Sequence, residues 1–200
     1  MKSKKKIYIL DDELHLLENK KEIVIKNSNY FHHGKITDIK KTIPYLKNEF
    51  EVQQIKIGFI QEEITILINY NYTSVEKELI QTLFERLEFS KITFEYEEEY
   101  INNNYNLIIK YNQNHSIIIN RKTTDYFEIN HNIFKNTKTL NEEDIIIDFL
   151  KENGKKSLLF IYGNNPKIKS LSNKIETNLG LKSYYPANLN SHFTDIEVWF

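Results

Sequence analysis

The order of predicted elements is repeated in the two halves of the chain, and this constrains the fold more than any other feature. Residues 6–96 show three short β-branched or apolar runs, then a helix, a strand, a helix and a strand. Residues 106–186 show the same order. Residue identities are not repeated, so the duplication lies in the pattern alone. The pattern predicts an α/β fold of two βββαβαβ halves, which we place at residues 1–101 and 102–200.

Composition excludes several classes of protein. The 200 residues are 40% hydrophobic and 28% charged, which suits a compact soluble protein. No run reaches the roughly 18 apolar residues of a transmembrane helix, and Lys2 to Lys6 lead into a short strand rather than a signal sequence, so we expect a cytoplasmic protein. The lack of cysteine excludes disulfides and thiolate metal sites. A net charge of −1 gives no electrostatic reason to expect nucleic-acid binding.

Helix signals in the first half are specific. Apolar residues recur at helical spacing from Ile36 to Phe50, with Asp38 as N-cap and Pro44 predicting a bend or late start. The next helix begins at a capping box, Thr73–Glu76. The strands of this half are predicted at 6–10, 14–17, 22–26, 64–70 and 91–96, with a further run at 55–59 that forms a hairpin with 64–70.

The second half carries its own boundary signals. Asn141 and the acids that follow it predict a helix start, and Gly154 predicts its end. A second helix runs from Lys167 to Leu179 and ends at Gly180. The strands are predicted at 106–111, 116–121, 126–131, 157–162 and 183–185.

Four segments, in their order along the chain, resemble the MreB-type bacterial actins of the actin/Hsp70 ATPase superfamily. They are Lys5 to Ser28, His33 to Asp38, Thr65 to Lys77 with Leu87 to Glu97, and Leu158 to Pro186. The resemblance implies an actin-like arrangement of two RNase H-like halves. It also implies that the outer subdomains are reduced to loops between Ser28 and His33 and after Asn136.

The resemblance places the family's three nucleotide-binding motifs at turns that lack the family's residues. The first phosphate turn is Asp11-Asp12-Glu13-Leu14, which has three carboxylates where glycine and a hydroxyl are expected. The second contains Asn112, Asn114 and Ser116, and the adenosine-side glycine run keeps only Gly163, followed by Asn164. We therefore expect these degenerate positions to be inactive in nucleotide binding, with no catalytic residue, no metal and no cofactor.

Other interpretations of the polar residues are weaker. Asp11 and Asp12 are compatible with Mg²⁺, but a tight turn is the better interpretation. A two-metal nuclease needs carboxylates from several strands, and the strand that ends at Asn69 supplies none. His32 and His33 predict a solvated turn rather than a metal site. His15, His115 and His131 lack a recognisable partner, and the acidic run from Glu95 to Tyr100 predicts a solvated strand end or a contact surface.

Large apolar residues crowd the C-terminus. Phe193, Ile196, Trp199 and Phe200 share one face if Ser191 caps a short helix. Asp195 and Glu197 argue against direct docking on a membrane. We expect this tail to pack on the body of the protein or to bind a protein partner or another copy.

Together, these features predict a non-catalytic actin-like scaffold or adaptor. By analogy of fold, such a protein would act in a bacterial cytoskeletal, cell-shape, division, or pilus and secretion assembly. The alternative is a divergent MreB-type protein that binds ATP and Mg²⁺ and forms filaments through unusual phosphate contacts.

Overall fold

The computed structural model describes residues 5–18, 21–55, 63–69, 72–101, 104–123, 125–131, 141–153 and 157–186. The chain divides between Glu99 and Tyr100 into two compact units. Unit 1 is described over residues within 5–99, and unit 2 over residues within 100–186. The described residues of each unit form one five-stranded mixed sheet and two α-helices, so the predicted α/β class is confirmed.

Unit 1 contains the predicted βββαβαβ order with one small addition. Its elements are β1 (Lys5–Leu10), β2 (Glu13–Glu18), β3 (Lys21–Lys26), the short β4 (Phe31–His32) and β5 (Lys35–Ile36), α1 (Ile39–Val52), β6 (Glu63–Ile68), α2 (Ser74–Arg86), β7 (Lys91–Tyr96) and a 3₁₀ helix (Glu97–Tyr100). The strand order is β3-β2-β1-β6-β7. The first three strands are antiparallel, whereas β1, β6 and β7 are parallel.

The helix-start features that the sequence predicts in unit 1 are present in the structure. Asp38 caps α1 by accepting a hydrogen bond from the backbone N–H of Lys41, and α1 continues through Pro44. Both hydrogen bonds of the Thr73–Glu76 capping box are present at the start of α2. Residues 56–62, which include most of the first strand of the predicted 55–59 hairpin, lie outside the described residues. The described strand of that pair, β6, is parallel to β1 and β7.

Unit 2 repeats the topology of unit 1. Its elements are β8 (Leu107–Tyr111), β9 (His115–Asn120), β10 (Asp125–Asn130), α3 (Glu142–Asn153), β11 (Leu159–Tyr162), α4 (Ile168–Leu179) and β12 (Ser183–Tyr184). The strand order, β10-β9-β8-β11-β12, corresponds strand by strand to that of unit 1. Helix α4 ends at Gly180, whose φ of 64° is the left-handed conformation predicted for this cap. Gly154 lies outside the described residues.

One face of each sheet packs against the two helices of its own unit. In unit 1, Ile7 and Ile66 of the sheet share a core with Phe50 of α1 and Leu83 of α2. In unit 2, Ile109 of the sheet shares a core with residues of α3 and α4. Because the helices cover a face, the edge where the parallel strands end is left for loops and polar side chains. None of the described helices is long and apolar enough to span a bilayer.

Candidate functional site

The carboxyl ends of the parallel strands in unit 1 bring polar residues together at one edge of the sheet. Strands β1, β6 and β7 are followed by Asp11, Asn69 and Glu97, and the registers place Asn69 level with Glu97 and one residue short of Asp11. All three are buried, with exposed fractions of 0%, 5% and 1%. Ligands of open α/β sheets bind at this kind of edge. We call these three residues, with Asp12 and Glu98, the unit 1 edge.

The β1–β2 turn is held by its backbone. Asp11 has a φ of 54°, a conformation that favours glycine. Its carbonyl accepts a hydrogen bond from the N–H of Gly34 at 2.8 Å, and the carbonyl of Asp12 accepts one from Asn27 at 2.9 Å. The Asp12 carboxylate lies 3.6 Å from the Lys26 ammonium. The turn is therefore fixed by contacts within the protein.

The acidic run after β7 is not the solvated strand end that we predicted. Glu97 and Glu98 begin a 3₁₀ helix and are 1% and 0% exposed. Burial raises the pKa of Tyr72, and the charges of Glu97 and Glu76 raise it further. The Tyr72 hydroxyl donates to the carbonyl of Gly34. The prediction rested on charge alone and failed because Glu97 and Glu98 begin a 3₁₀ helix at the carboxyl end of β7, where both side chains are buried.

The unit 1 edge is rich in acceptors and poor in donors for a phosphate. It brings together four carboxylate side chains, and the side-chain oxygen of Asn69 has no hydrogen-bond donor among the described residues. A phosphate needs backbone N–H groups, hydroxyls or cationic side chains. The residues present do not fit the phosphate groups of a nucleotide.

His15 has partners that the sequence did not reveal. It lies on β2, where it stacks on Tyr8 with the ring centroids 4.6 Å apart. Its Nδ1 lies 2.6 Å from Glu22, and its Nε2 lies 3.3 Å from Glu13. Burial alone would lower the pKa of His15, but the hydrogen bonds to the two glutamates raise it above the ordinary value of 6.5. The pairing of the predicted strands β1, β2 and β3 could have revealed these partners, because it places the four side chains on one face of the sheet.

In unit 2, the corresponding edge of the sheet is built from side-chain amides. We call Asn112, Gly163, Asn164 and Asn165 the unit 2 edge. Strands β8 and β11 are followed by Asn112 and Gly163, which correspond in position to Asp11 and Asn69 of unit 1. The turns after the two strands are hydrogen-bonded to each other. The side-chain amide of Asn165 donates to the carbonyl of Asn112 at 2.9 Å, and the N–H of Asn165 donates to the carbonyl of Tyr111 at 3.2 Å.

The side chains of Asn112 and Asn164 accept hydrogen bonds from backbone N–H groups of these turns. The N–H of Gln113 donates to the side-chain oxygen of Asn164 at 3.1 Å. The N–H of Asn164 lies 3.4 Å from the side-chain oxygen of Asn112, which is fully buried. These are the types of donor that a phosphate-binding turn must leave available. At the unit 2 edge too, the residues present do not fit a phosphate.

Gly163 is required for this contact between the turns. Its φ is 134°, and a Cβ atom there would lie 2.2 Å from the carbonyl oxygen of Tyr111. The retained glycine thus allows two protein segments to approach each other. The sequence alone could not distinguish this role from close approach to a ligand.

Ser116 and Asn114 help to hold the β8–β9 turn. The hydroxyl of Ser116 pairs with Nε2 of His131 at 2.8 Å, and Nδ1 of His131 lies 3.0 Å from the carbonyl of Gln113. The carbonyl of Asn114 accepts a hydrogen bond from the N–H of His131. Ser116 is fully buried, and the second partner of the imidazole is a carbonyl rather than a carboxylate. We predicted no recognisable partner for His131, whereas the structure pairs it with the buried hydroxyl of Ser116 as a structural contact.

The remaining predicted sites are placed as follows. His32 and His33 lie at a turn with their rings stacked, the centroids 3.9 Å apart. Phe193, Ile196, Trp199 and Phe200 lie outside the described residues. Sequence reasoning missed Asn165, Glu97 and Glu98 as edge residues, although their positions within three residues of the ends of predicted strands were a usable signal.

Solved structures resemble this chain over nearly its whole length. The structure of MreB5 of Spiroplasma citri bound to AMPPNP gives a TM-score of 0.66 at 10% identity, covering 99% of this chain and 96% of that one. The ethanolamine utilization protein EutJ from Carboxydothermus hydrogenoformans gives 0.65 at 10% identity, covering 96% and 86%. The MamK double helical filament gives 0.61 at 8% identity, covering 94% and 96%.

No protein-family model and no curated protein sequence matches the chain. Identities of this size establish the fold and nothing finer. These structures all have folds of the actin/Hsp70 superfamily, and the repeated strand order agrees with them. The chain therefore has an actin-like α/β fold of two RNase H-like βββαβαβ halves, with the outer subdomains of that fold reduced.

Proposed function

We propose that this protein is a non-catalytic, actin-like scaffold or adaptor that associates with other copies of itself and no longer binds nucleotide. The observation that carries the proposal is the pairing of the two turns at the unit 2 edge. Asn112, Asn164 and Asn165 engage one another and the neighbouring backbone. A nucleotide would have to break these contacts before it could use the same donors.

The charge of the unit 1 edge supports the same conclusion. Asp11, Glu97 and Glu98 are buried, and a triphosphate brought next to them would be repelled. A bound cation would have to offset both the carboxylates and the phosphates.

Self-association is supported by what the similar proteins do. MamK forms a double helical filament, and MreB5 binds AMPPNP. Our proposal keeps the first property and drops the second. A bacterial cytoskeletal, cell-shape, division or secretion assembly is the setting that this fold suggests, by analogy of fold.

The test is assembly measured with and without nucleotide. Sedimentation velocity of the full chain over a range of concentrations should show association that increases with protein concentration. Adding Mg-ATP, or exchanging it for Mg-ADP, should leave the distribution unchanged, while a nucleotide-dependent actin-like filament protein responds in parallel. A chain that assembles only with Mg-ATP would instead be the divergent ATP-binding filament protein, and our proposal would be wrong.

A further inference from the structure

A groove lies between the two helices of unit 1 and is lined by none of the edge residues. Its volume is about 320 Å³, and it is lined by Ile39, Lys40, Ile43, Pro44, Thr82 and Arg86. Ile39 and Ile43 are half-buried and pack against the core, while Pro44 is exposed. A concave surface of this size is at the lower end for ligand sites, which hold about 300 Å³ or more. The groove therefore has room for large apolar side chains.

Pro44 leaves one backbone carbonyl of α1 without its usual helical donor. Proline has no N–H, so the carbonyl of Lys40, four residues earlier, loses its usual donor within α1. Lys40 and Pro44 both line the groove. A buried indole N–H needs an acceptor of this kind. The groove thus suits a tryptophan better than a purely aliphatic side chain.

The rim of the groove is positively charged. Lys40 and Arg86 are exposed, and neither forms an ion pair with a residue that the structure describes. Other lysines of unit 1 do have carboxylate partners. Lys35 pairs with Glu76, Lys41 with Asp38, Lys47 with Glu88 and Lys91 with Glu63. Two uncompensated cations beside an apolar floor fit an acidic segment with large apolar residues.

The last eight residues of this chain have that composition. Residues 193–200 read Phe-Thr-Asp-Ile-Glu-Val-Trp-Phe, with four large apolar residues that we predict on one face and two acids. The acids complement Lys40 and Arg86, and Trp199 supplies the indole N–H that the Lys40 carbonyl lacks. Aromatic anchors flanked by complementary charge are typical of a peptide bound in a groove.

We propose that the groove between α1 and α2 binds the C-terminal segment, residues 193–200, of a second copy of this chain. This inference rests on the proposed self-association and names the surfaces that carry it. The groove and the segment are different patches, so the contact is heterologous and each copy can bind one neighbour through its groove and another through its segment. Assembly then needs no nucleotide.

Charge reversal in the full-length chain tests the pairing. One variant carries Lys40→Glu and Arg86→Glu, and a second carries Asp195→Lys and Glu197→Lys. Each variant alone sets like charges against each other, so its self-association measured by sedimentation velocity should weaken by about tenfold or more. An equimolar mixture should recover association, because each groove then meets a segment of opposite charge. A chain with all four substitutions should also recover it.

A matched control separates this contact from general attraction. Lys122→Glu with Lys169→Glu makes the same change in net charge on exposed residues of unit 2 and should leave self-association unchanged. Melting temperatures near that of the wild type confirm that each variant folds.

Two results would overturn the assignment while leaving the proposed function intact. One is that both charge-reversal variants associate as strongly as the wild type, so that none of the four charges affects association. The other is loss of association in each variant without recovery in the mixture, since that would mean that the segment acts within its own chain. A wild-type chain that stays monomeric at every concentration would contradict the proposed self-association itself.

Discussion

The side-chain amide of Asn165 donates a hydrogen bond to the carbonyl of Asn112 at 2.9 Å, which joins the turn after β11 to the turn after β8. The two residues are 53 positions apart in the sequence. The side-chain oxygen of Asn165 also accepts from the N–H of Lys167 at the start of α4. One buried amide thus holds a strand end, a turn and a helix start in place.

Asn165→Ala should therefore destabilise the protein. The substitution removes two hydrogen bonds and leaves the buried carbonyl of Asn112 without that donor, a loss of about 1 to 3 kcal/mol. Urea denaturation followed by circular dichroism measures it as a lower midpoint. Asn178→Ala, at an exposed position of α4, is the matched control and should change stability by less than about 0.5 kcal/mol. Equal effects at the two positions would contradict the role given to Asn165.

Gly163→Ala should lower the free energy of unfolding more than Gly180→Ala does. At Gly163 the new Cβ would meet the carbonyl of Tyr111 at 2.2 Å, and the φ of 134° is unfavourable for alanine, so we expect a loss of more than about 2 kcal/mol. At Gly180 no atom lies within 4 Å of the added Cβ, and the φ of 64° costs about 1 kcal/mol. Thermal denaturation of both variants gives the comparison. A Gly163→Ala protein as stable as wild type would show that the turns do not pack this closely.

Much of the fold follows from local patterns. The short apolar runs of β1 and β8, the capping box at Thr73 and the glycine at 180 each depend on neighbours a few residues away, so their structural consequences were predictable. The contact between Asn112 and Asn165 was not, because it depends on the register of β8 with β11. The burial of Glu97 was missed for a related reason. A run of acids is usually solvated, but here it begins a 3₁₀ helix at the carboxyl end of β7, where Glu97 and Glu98 are buried.

Stability should depend on pH through His15. Hydrogen bonds to Glu13 and Glu22 outweigh the effect of burial and raise the pKa of His15 in the folded protein above 6.5. A raised pKa in the folded state means that protonation stabilises the fold. This stabilisation is complete below pH 6.5 and is lost as the pH rises through the folded pKa.

The free energy of unfolding, measured by urea titration from pH 5.5 to 8.5, should therefore contain a decreasing component from His15. The His15→Gln variant should lack this component while keeping the rest of the profile. If the two profiles have the same slope across this range, His15 does not hold its proton through the two glutamates.

Isothermal titration of the full chain with Mg-ATP tests the central claim most directly. We predict no measurable binding, because the donors at the unit 2 edge are engaged by Asn112 and Asn164 and the unit 1 edge carries buried carboxylates. A nucleotide-binding actin-like protein titrated under the same conditions provides the positive control. A dissociation constant of about 10 μM or lower, equivalent to roughly 7 kcal/mol, would contradict the claim that this actin-like protein works without nucleotide.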